Sequence, residues 1–264
     1  MSTRLRLEKL SNTRDLGGMR NAGGHTVRPG MLIRSGHLYF AGDNDILTLS
    51  DTVSEIVDFR ADQERTEKPD PVIPGAANIH IPIVEDLTAG IARDRKSDKA
   101  AFALISAGPE AARKYMIRMY ENFVTNDFCV SQYRRFVRLL MEPHEKAVLW
   151  HCTAGKDRAG FASVIVQEML GMDHETILAD YLQTNRYLEA EIQQLMKMAG
   201  AKLGGLDENA KTVLGYAFGA YEEYLDAVYA AARERYGGFD GFIRNGLRIG
   251  EDEADRFREK YLQF

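Results

Sequence analysis

The chain has 264 residues, 45 % hydrophobic and 28 % charged, with a formal net charge of −5. This is the composition of an ordinary globular protein able to bury a sizeable core, and the mild negative charge argues against a nucleic-acid or anionic-membrane binder. Two cysteines, Cys129 and Cys152, are too few for a disulfide scaffold, and no paired CxxC element suggests zinc. No apolar run is long enough for an integral membrane segment, and the start, MSTRLRLEKL, lacks a signal-peptide core. A reducing, cytoplasmic location is the default expectation, with export without a conventional signal left open.

The first 42 residues are rich in turn signals: Asn12-Thr13-Arg14-Asp15-Leu16-Gly17-Gly18, then Gly23-Gly24 and Pro29-Gly30. Short strands are predicted at Leu5–Leu10 and Met31–Arg34, and Asp43 is expected to cap a helix over Asn44–Ser50. Glu55–Arg60 and Asn78–Ile83 read as further strands. From Glu110 to Met141 the apolar period becomes helical, with two helices meeting near Asn126-Asp127. Lys146–His151 reads as a short strand, and Ala159–Leu170 as a helix with the apolar stripe Phe161, Val164, Ile165 and Met169, stopped by Gly171. Beyond Asp173 nearly everything reads as helix, with breaks at Gly200–Leu206, Gly237-Gly238 and Gly250. Interleaved strands and helices followed by a helical tail predict an α/β fold with a large helical complement. We expect a single domain over 1–264, in which helical segments at about 86–142 and 186–236 pack on the core or form a lid or cover.

The stretch His151-Cys152-Thr153-Ala154-Gly155-Lys156-Asp157-Arg158 lies between a predicted strand and a predicted helix. A tight loop running into a helix N-terminus aims several backbone N–H groups into one concavity, to which the helix dipole adds positive potential. Phosphate fits such a nest, and the same field stabilises a thiolate at Cys152. Arg158 offers a planar fork to two phosphate oxygens, and Gly155 lets the loop turn. A thiolate facing phosphorus with an arginine opposite describes phosphoryl transfer through a cysteinyl-phosphate. Gly155-Lys156 does not belong to a nucleotide-binding phosphate loop, because the earlier glycine and the following Ser or Thr are missing. Cys129, in Phe128-Cys129-Val130, reads as a core residue. His151 and Cys152 alternate on a strand, so His151 is expected to orient the loop rather than take the proton of Cys152.

This loop resembles that of the protein-tyrosine-phosphatase superfamily, and more closely that of bacterial and fungal tyrosine and dual-specificity phosphatases with the pattern HCxAGKDR. Asn12–Gly18, Arg34-Ser35-Gly36, Asp58-Phe59-Arg60, Asp180-Tyr181-Leu182-Gln183-Thr184-Asn185, Tyr236–Asp240 and Gly250-Glu251-Asp252 are similar to that family's signatures, in the same order. The resemblance implies a phosphotyrosine-phosphatase-like sheet flanked by helices, no metal, no cofactor, and hydrolysis of phosphomonoesters. By that likeness Cys152 is the nucleophile, Arg158 binds the phosphate, and Thr153, Ala154, Gly155 and Lys156 contribute to the substrate site. A loop lysine in such phosphatases goes with acceptance of phosphoinositides besides phosphotyrosine, so the expected substrate is a phosphorylated protein or a phosphoinositide. Ala159 departs from the usual Ser or Thr after the arginine, which bears on hydrolysis of the intermediate. Nothing in the sequence sets the oligomeric state.

The leaving oxygen needs a proton, and positioned acid catalysis is worth about 10²–10⁴-fold. Asp157 is the first candidate by family likeness; Asp86, after the Ile81-Pro82-Ile83 strand, is the second. Asp58 is read as a third candidate or as a partner of Lys156. Each alone also fits a solvated or salt-bridged carboxylate. Arg14 and Asp15 read as structural, as does Arg60. Two alternatives to the phosphatase stay open at this point: a phosphate-binding relative without turnover, and a rhodanese-like sulfurtransferase.

Overall fold

The computed structural model describes residues 1–84 and 103–263. Among these, six strands form one sheet in the order β1-β2-β4-β7-β5-β6: β1 Thr3–Arg4, β2 Arg14–Asp15, β4 Leu32–Ser35, β5 Val53–Asp58, β6 Ala77–His80 and β7 Ala147–His151. β4, β7, β5 and β6 run parallel, and the short β1 and β2 add antiparallel at one edge. A separate pair, β3 Thr26–Val27 with β8 Leu262–Gln263, ties the C-terminal end back to the N-terminal region.

The central strands β4 and β7 are buried on both faces, so they lack a clean apolar alternation, whereas the edge strand β6 is partly exposed. Side chains still alternate. Val148 and Trp150 of β7, Val57 of β5 and Leu32 of β4 enter the larger core, whereas Ala147 and Leu149, Ile56 and Ile33 enter a smaller core on the other face. The smaller core is closed by α1 (Asp43–Thr52) and by Leu7, Leu10 and Leu38. The larger one is covered by α3 (Pro109–Thr125), α4 (Asp127–Met141), α5 (Arg158–Met169), α6 (His174–Tyr187), α9 (Glu222–Tyr236) and α10 (Glu251–Tyr261). The short α2 is Asp62–Glu67, α7 is Glu189–Leu203 and α8 is Glu208–Phe218. α7 carries no buried residue, unlike the helices around it.

The predicted α3–α4 junction is observed: the Asn126 side chain accepts from Cys129 N at 3.1 Å and caps α4. Two expectations need correction. Leu5–Leu10 forms no strand; the sheet begins at Thr3–Arg4, and Leu7 and Leu10 are simply buried under α1. Asp43 is the first residue of α1 rather than its cap; Gly42 holds that position, and its N–H donates to Asp45. No described helix is long and apolar enough to cross a membrane.

Candidate active site

β7 ends at His151, and the chain runs through Cys152–Asp157 into α5 at Arg158. Three successive carbonyls of this loop are held from outside. Thr153 O accepts from His37 N at 3.2 Å, Ala154 O from Asn12 Nδ2 at 2.8 Å, and Gly155 O from Arg34 Nη2 at 2.7 Å. A planar trans peptide points its N–H opposite to its C=O, so the N–H groups of Ala154, Gly155 and Lys156 turn toward the concave side. Gly155 has φ +71, and a Cβ there would lie 2.5 Å from Ser35 O and 2.6 Å from Gly36 N, so only glycine fits.

Behind the loop, Arg14 and Arg34 are buried against one carboxylate, Asp180, at 3.6 and 3.4 Å. Two cations on one anion leave net positive charge under the loop. Burial, and then the Arg14 charge, pull the Arg34 guanidinium down to about 9, while burial of Asp180 is outweighed by the two arginines, which lower its pKa. Arg14 and Asp15 are thus structural as expected but do not pair. Asp15 accepts from Gly17 N and Gly30 N instead. The Asp180–Asn185 signature reads the same way: Asp180 anchors the arginines, Thr184 Oγ1 accepts from Arg14, and Asn185 exchanges two hydrogen bonds with the backbone of Ala220.

The cleft above the loop is lined by Cys152, Thr153, Ala154, Lys156, Asp157 and Arg158, with Glu64 and an apolar wall that includes Met116, Met119, Phe123 and Phe218. It is open to solvent. Cys152 is 2 % exposed. Cys129, by contrast, sits in α4 with its thiol directed to Ile83 O at 3.0 Å, as the sequence reading expects.

Arg158 is held by a residue the sequence did not single out. Glu64 in α2 accepts from Arg158 Nη1 at 2.6 Å and Nη2 at 2.8 Å, and also from the Thr153 hydroxyl. Burial works against the Glu64 charge, but the Arg158 guanidinium and these hydrogen bonds outweigh it and hold the carboxyl at about 2. Glu64 takes the Nη1–Nη2 edge, and Nη2 also donates to Thr153 Oγ1 at 3.2 Å, so among the described residues only the Arg158 Nε–H has no hydrogen-bond partner. The signal in the sequence was faint: a glutamate three residues into a helix reads as a capping residue, and Glu64 does accept from Ala61 N.

Lys156 lines the cleft but is 1 % exposed, and its ammonium is fully engaged. It donates to Ala217 O at 2.8 Å and Gly219 O at 3.0 Å, the C-terminal end of α8, and lies 3.2 Å from Asp157 Oδ1. Asp157 occupies the N-cap position of α5 without capping it; its Oδ1 accepts from Tyr120 Oη at 2.7 Å.

Asp58 does not pair with Lys156. It binds Arg60 at 2.8 Å and Arg65 at 3.2 Å, and Arg60 also binds Asp70 at 2.6 Å, which makes Arg60 structural as expected. His151 lies between these carboxylates, 3.8 Å from Asp58 and 3.1 Å from Asp70. Burial opposes its charge, yet the two aspartates raise its pKa above the ordinary imidazole value. The imidazole therefore braces the strand end from the side away from the cleft. Asp86 lies outside the described residues.

A cysteine and an arginine here share one strand–loop–helix, with a buried positive charge behind the loop, an arrangement able to hold a phosphate beside a thiol. The sequence pattern of the tyrosine phosphatase family matches residues 5–263, and the chain belongs to that family. It is an enzyme that hydrolyses phosphomonoesters, and the sulfurtransferase and non-catalytic alternatives are set aside. Among curated relatives, a Cupriavidus necator protein provisionally named a tyrosine-protein phosphatase is 31 % identical over 261 residues, covering 98 % of this chain and 88 % of that one. The triple-specificity protein phosphatase PtpB of Mycobacterium tuberculosis is 28 % identical over 255 residues, covering 88 % and 91 %. A tyrosine-protein phosphatase of Nostoc commune is 27 % identical over 133 residues, half of this chain.

Proposed function

We propose that the chain dephosphorylates phosphotyrosine in proteins, with Cys152 as nucleophile, Arg158 and the Thr153–Lys156 loop amides as the phosphate site, and Asp157 as general acid. The observation that carries this is the outward anchoring of the Thr153, Ala154 and Gly155 carbonyls, which turns consecutive amides toward the space beside Cys152. In the first step the Cys152 thiolate forms an S–P bond while the P–O bond to the tyrosyl oxygen breaks, and that oxygen takes the Asp157 proton. In the second, water attacks phosphorus, its proton returns to Asp157, and the S–P bond breaks to release inorganic phosphate and the thiolate. Loop amides and Arg158 stabilise the equatorial oxygens in both steps.

The apolar wall of Met116, Met119, Phe123 and Phe218 suits an aryl ester. Phosphoinositides would need Lys156 to leave Ala217 and Gly219 before it could meet a second phosphate. In this reading the whole chain is one phosphatase domain acting in the cytoplasm, and α7 and α8 form a cover, since Ile192 and Phe218 reach the cleft while α7 buries no residue in the core. The test is turnover of a phosphotyrosine peptide by Cys152→Ser and Cys129→Ser. The first variant should be inactive yet folded and able to bind phosphate; the second should stay near wild type. Hydrolysis by Cys152→Ser above contamination overturns the covalent mechanism.

A further inference from the structure

We propose that Tyr120 is a positioning residue for the general acid, and that Tyr181 completes a proton-ordered chain that leaves only Oδ2 of Asp157 to serve the leaving oxygen. The inference rests on the reading of Asp157 as the acid.

Tyr120 Oη donates to Asp157 Oδ1 at 2.7 Å and lies 2.6 Å from Tyr181 Oη. A phenol has one proton. Since that of Tyr120 goes to Asp157, the hydrogen bond between the tyrosines must be donated by Tyr181. The chain therefore runs Tyr181 O–H to Tyr120 O–H to the Asp157 carboxylate, and each bond polarises the next. Both hydroxyls are buried, and burial first, then the Asp157 charge, pushes both phenols well above their ordinary range, so neither ionises to break this order.

Lys156 Nζ approaches the same oxygen, Oδ1, at 3.2 Å. One hydrogen bond and one cation thus fall on Oδ1, and among the described residues none hydrogen-bonds to Oδ2. The side chain is 23 % exposed and lines the cleft. A carboxylic acid must carry its proton on the oxygen that faces the substrate. The Tyr120 donor and the Lys156 charge on Oδ1 force that choice, because a proton on Oδ1 would oppose both. The two tyrosines come from α3 and α6, elements remote in sequence from the loop, and Tyr181 follows Asp180, the anchor of Arg14 and Arg34. One turn of α6 thus supports both the phosphate loop and the acid.

The experiment compares wild type, Tyr120→Phe, Tyr181→Phe, Asp157→Asn and the double variant Tyr120→Phe/Asp157→Asn on phenyl phosphate and p-nitrophenyl phosphate. Phenyl phosphate needs protonation of its leaving group; the nitro ester needs little. Tyr120→Phe should lower kcat on phenyl phosphate about tenfold, with KM unchanged and the nitro ester within about twofold. Tyr181→Phe should act in the same direction but less, and the double variant should be no slower than Asp157→Asn alone. Thermal melting and Cys152-dependent phosphate binding establish that each variant is folded. Equal losses on both esters, or an additive loss in the double variant, overturn the proposal and leave Tyr120 as a core residue. If Asp157→Asn itself shows no leaving-group dependence, the acid assignment fails first, and the positioning role falls with it.

Discussion

Glu64 and Arg158, 94 residues apart, meet in a bidentate ion pair with N–O distances of 2.6 and 2.8 Å at the edge of the candidate active site. The glutamate lowers the freedom of the arginine and, together with Thr153, fixes the plane of its guanidinium. A lone buried charge on either partner would be costly, so the two stand or fall together.

The Glu64 carboxyl is held at about 2 against an ordinary value of 4.5. A depressed acid stabilises the folded state fully above about 4.5, and that contribution is lost as pH falls toward about 2. Its size is on the order of 3 kcal/mol. Glu64→Gln should flatten the acid side of the Tm–pH curve in this window and lower kcat/KM about tenfold. An unchanged Tm–pH profile counts against the pair as an acid-labile clamp.

Arg158→Lys keeps the charge but replaces a planar fork by a point charge, which cannot reproduce the bidentate pairing with Glu64 or a two-pronged contact to phosphate. Losing charge-assisted hydrogen bonds worth roughly 1.5–3 kcal/mol each should reduce kcat/KM at least tenfold. Competitive inhibition by inorganic phosphate should weaken in parallel. A near-normal kcat/KM would show that Arg158 does not face the phosphate.

Lys156 spends its three N–H groups on Ala217 O, Gly219 O and the neighbourhood of Asp157 Oδ1. Lys156→Ala should therefore reduce turnover of a phosphotyrosine peptide and of a phosphoinositide by similar factors, and increase proteolysis near Gly204–Tyr221. A loss confined to the phosphoinositide would mean that the ammonium swings onto the substrate.

Asp157→Asn should lower kcat strongly for phenyl or alkyl phosphates, less for an ester with a good leaving anion, and flatten the alkaline limb of the kcat/KM–pH profile. Asp86→Asn is the control and should leave both features nearly untouched. The reverse pattern would make Asp86 the acid and Asp157 a partner of Tyr120 and Lys156 alone.

Much of the architecture was legible because local chemistry fixed it. The helical period from Glu110 and the junction at Asn126-Asp127 marked α3, and the short apolar run within Lys146–His151 marked β7. The two-residue strands β1, β2, β3 and β8 were not legible, since a pair of residues carries no period and only a neighbouring segment makes it a strand. The partner of the Asp157 carboxylate was not legible either, since Tyr120 lies 37 residues away and meets it only in the folded chain.

By itself the sequence determined the frame of the candidate loop: Cys152, Gly155 and Arg158 stand at fixed spacing within seven residues, where the strand, turn and helix that arrange them are all local. Tertiary structure alone decided which way the charges point. Glu64 rather than solvent holds Arg158, Ala217 and Gly219 rather than a substrate occupy Lys156, and Asp180 rather than Asp15 neutralises Arg14. The reason is physical. A long cationic side chain can reach many partners, and burial selects the one whose desolvated charge or carbonyl most needs it, a choice made by elements that approach only when the chain is folded.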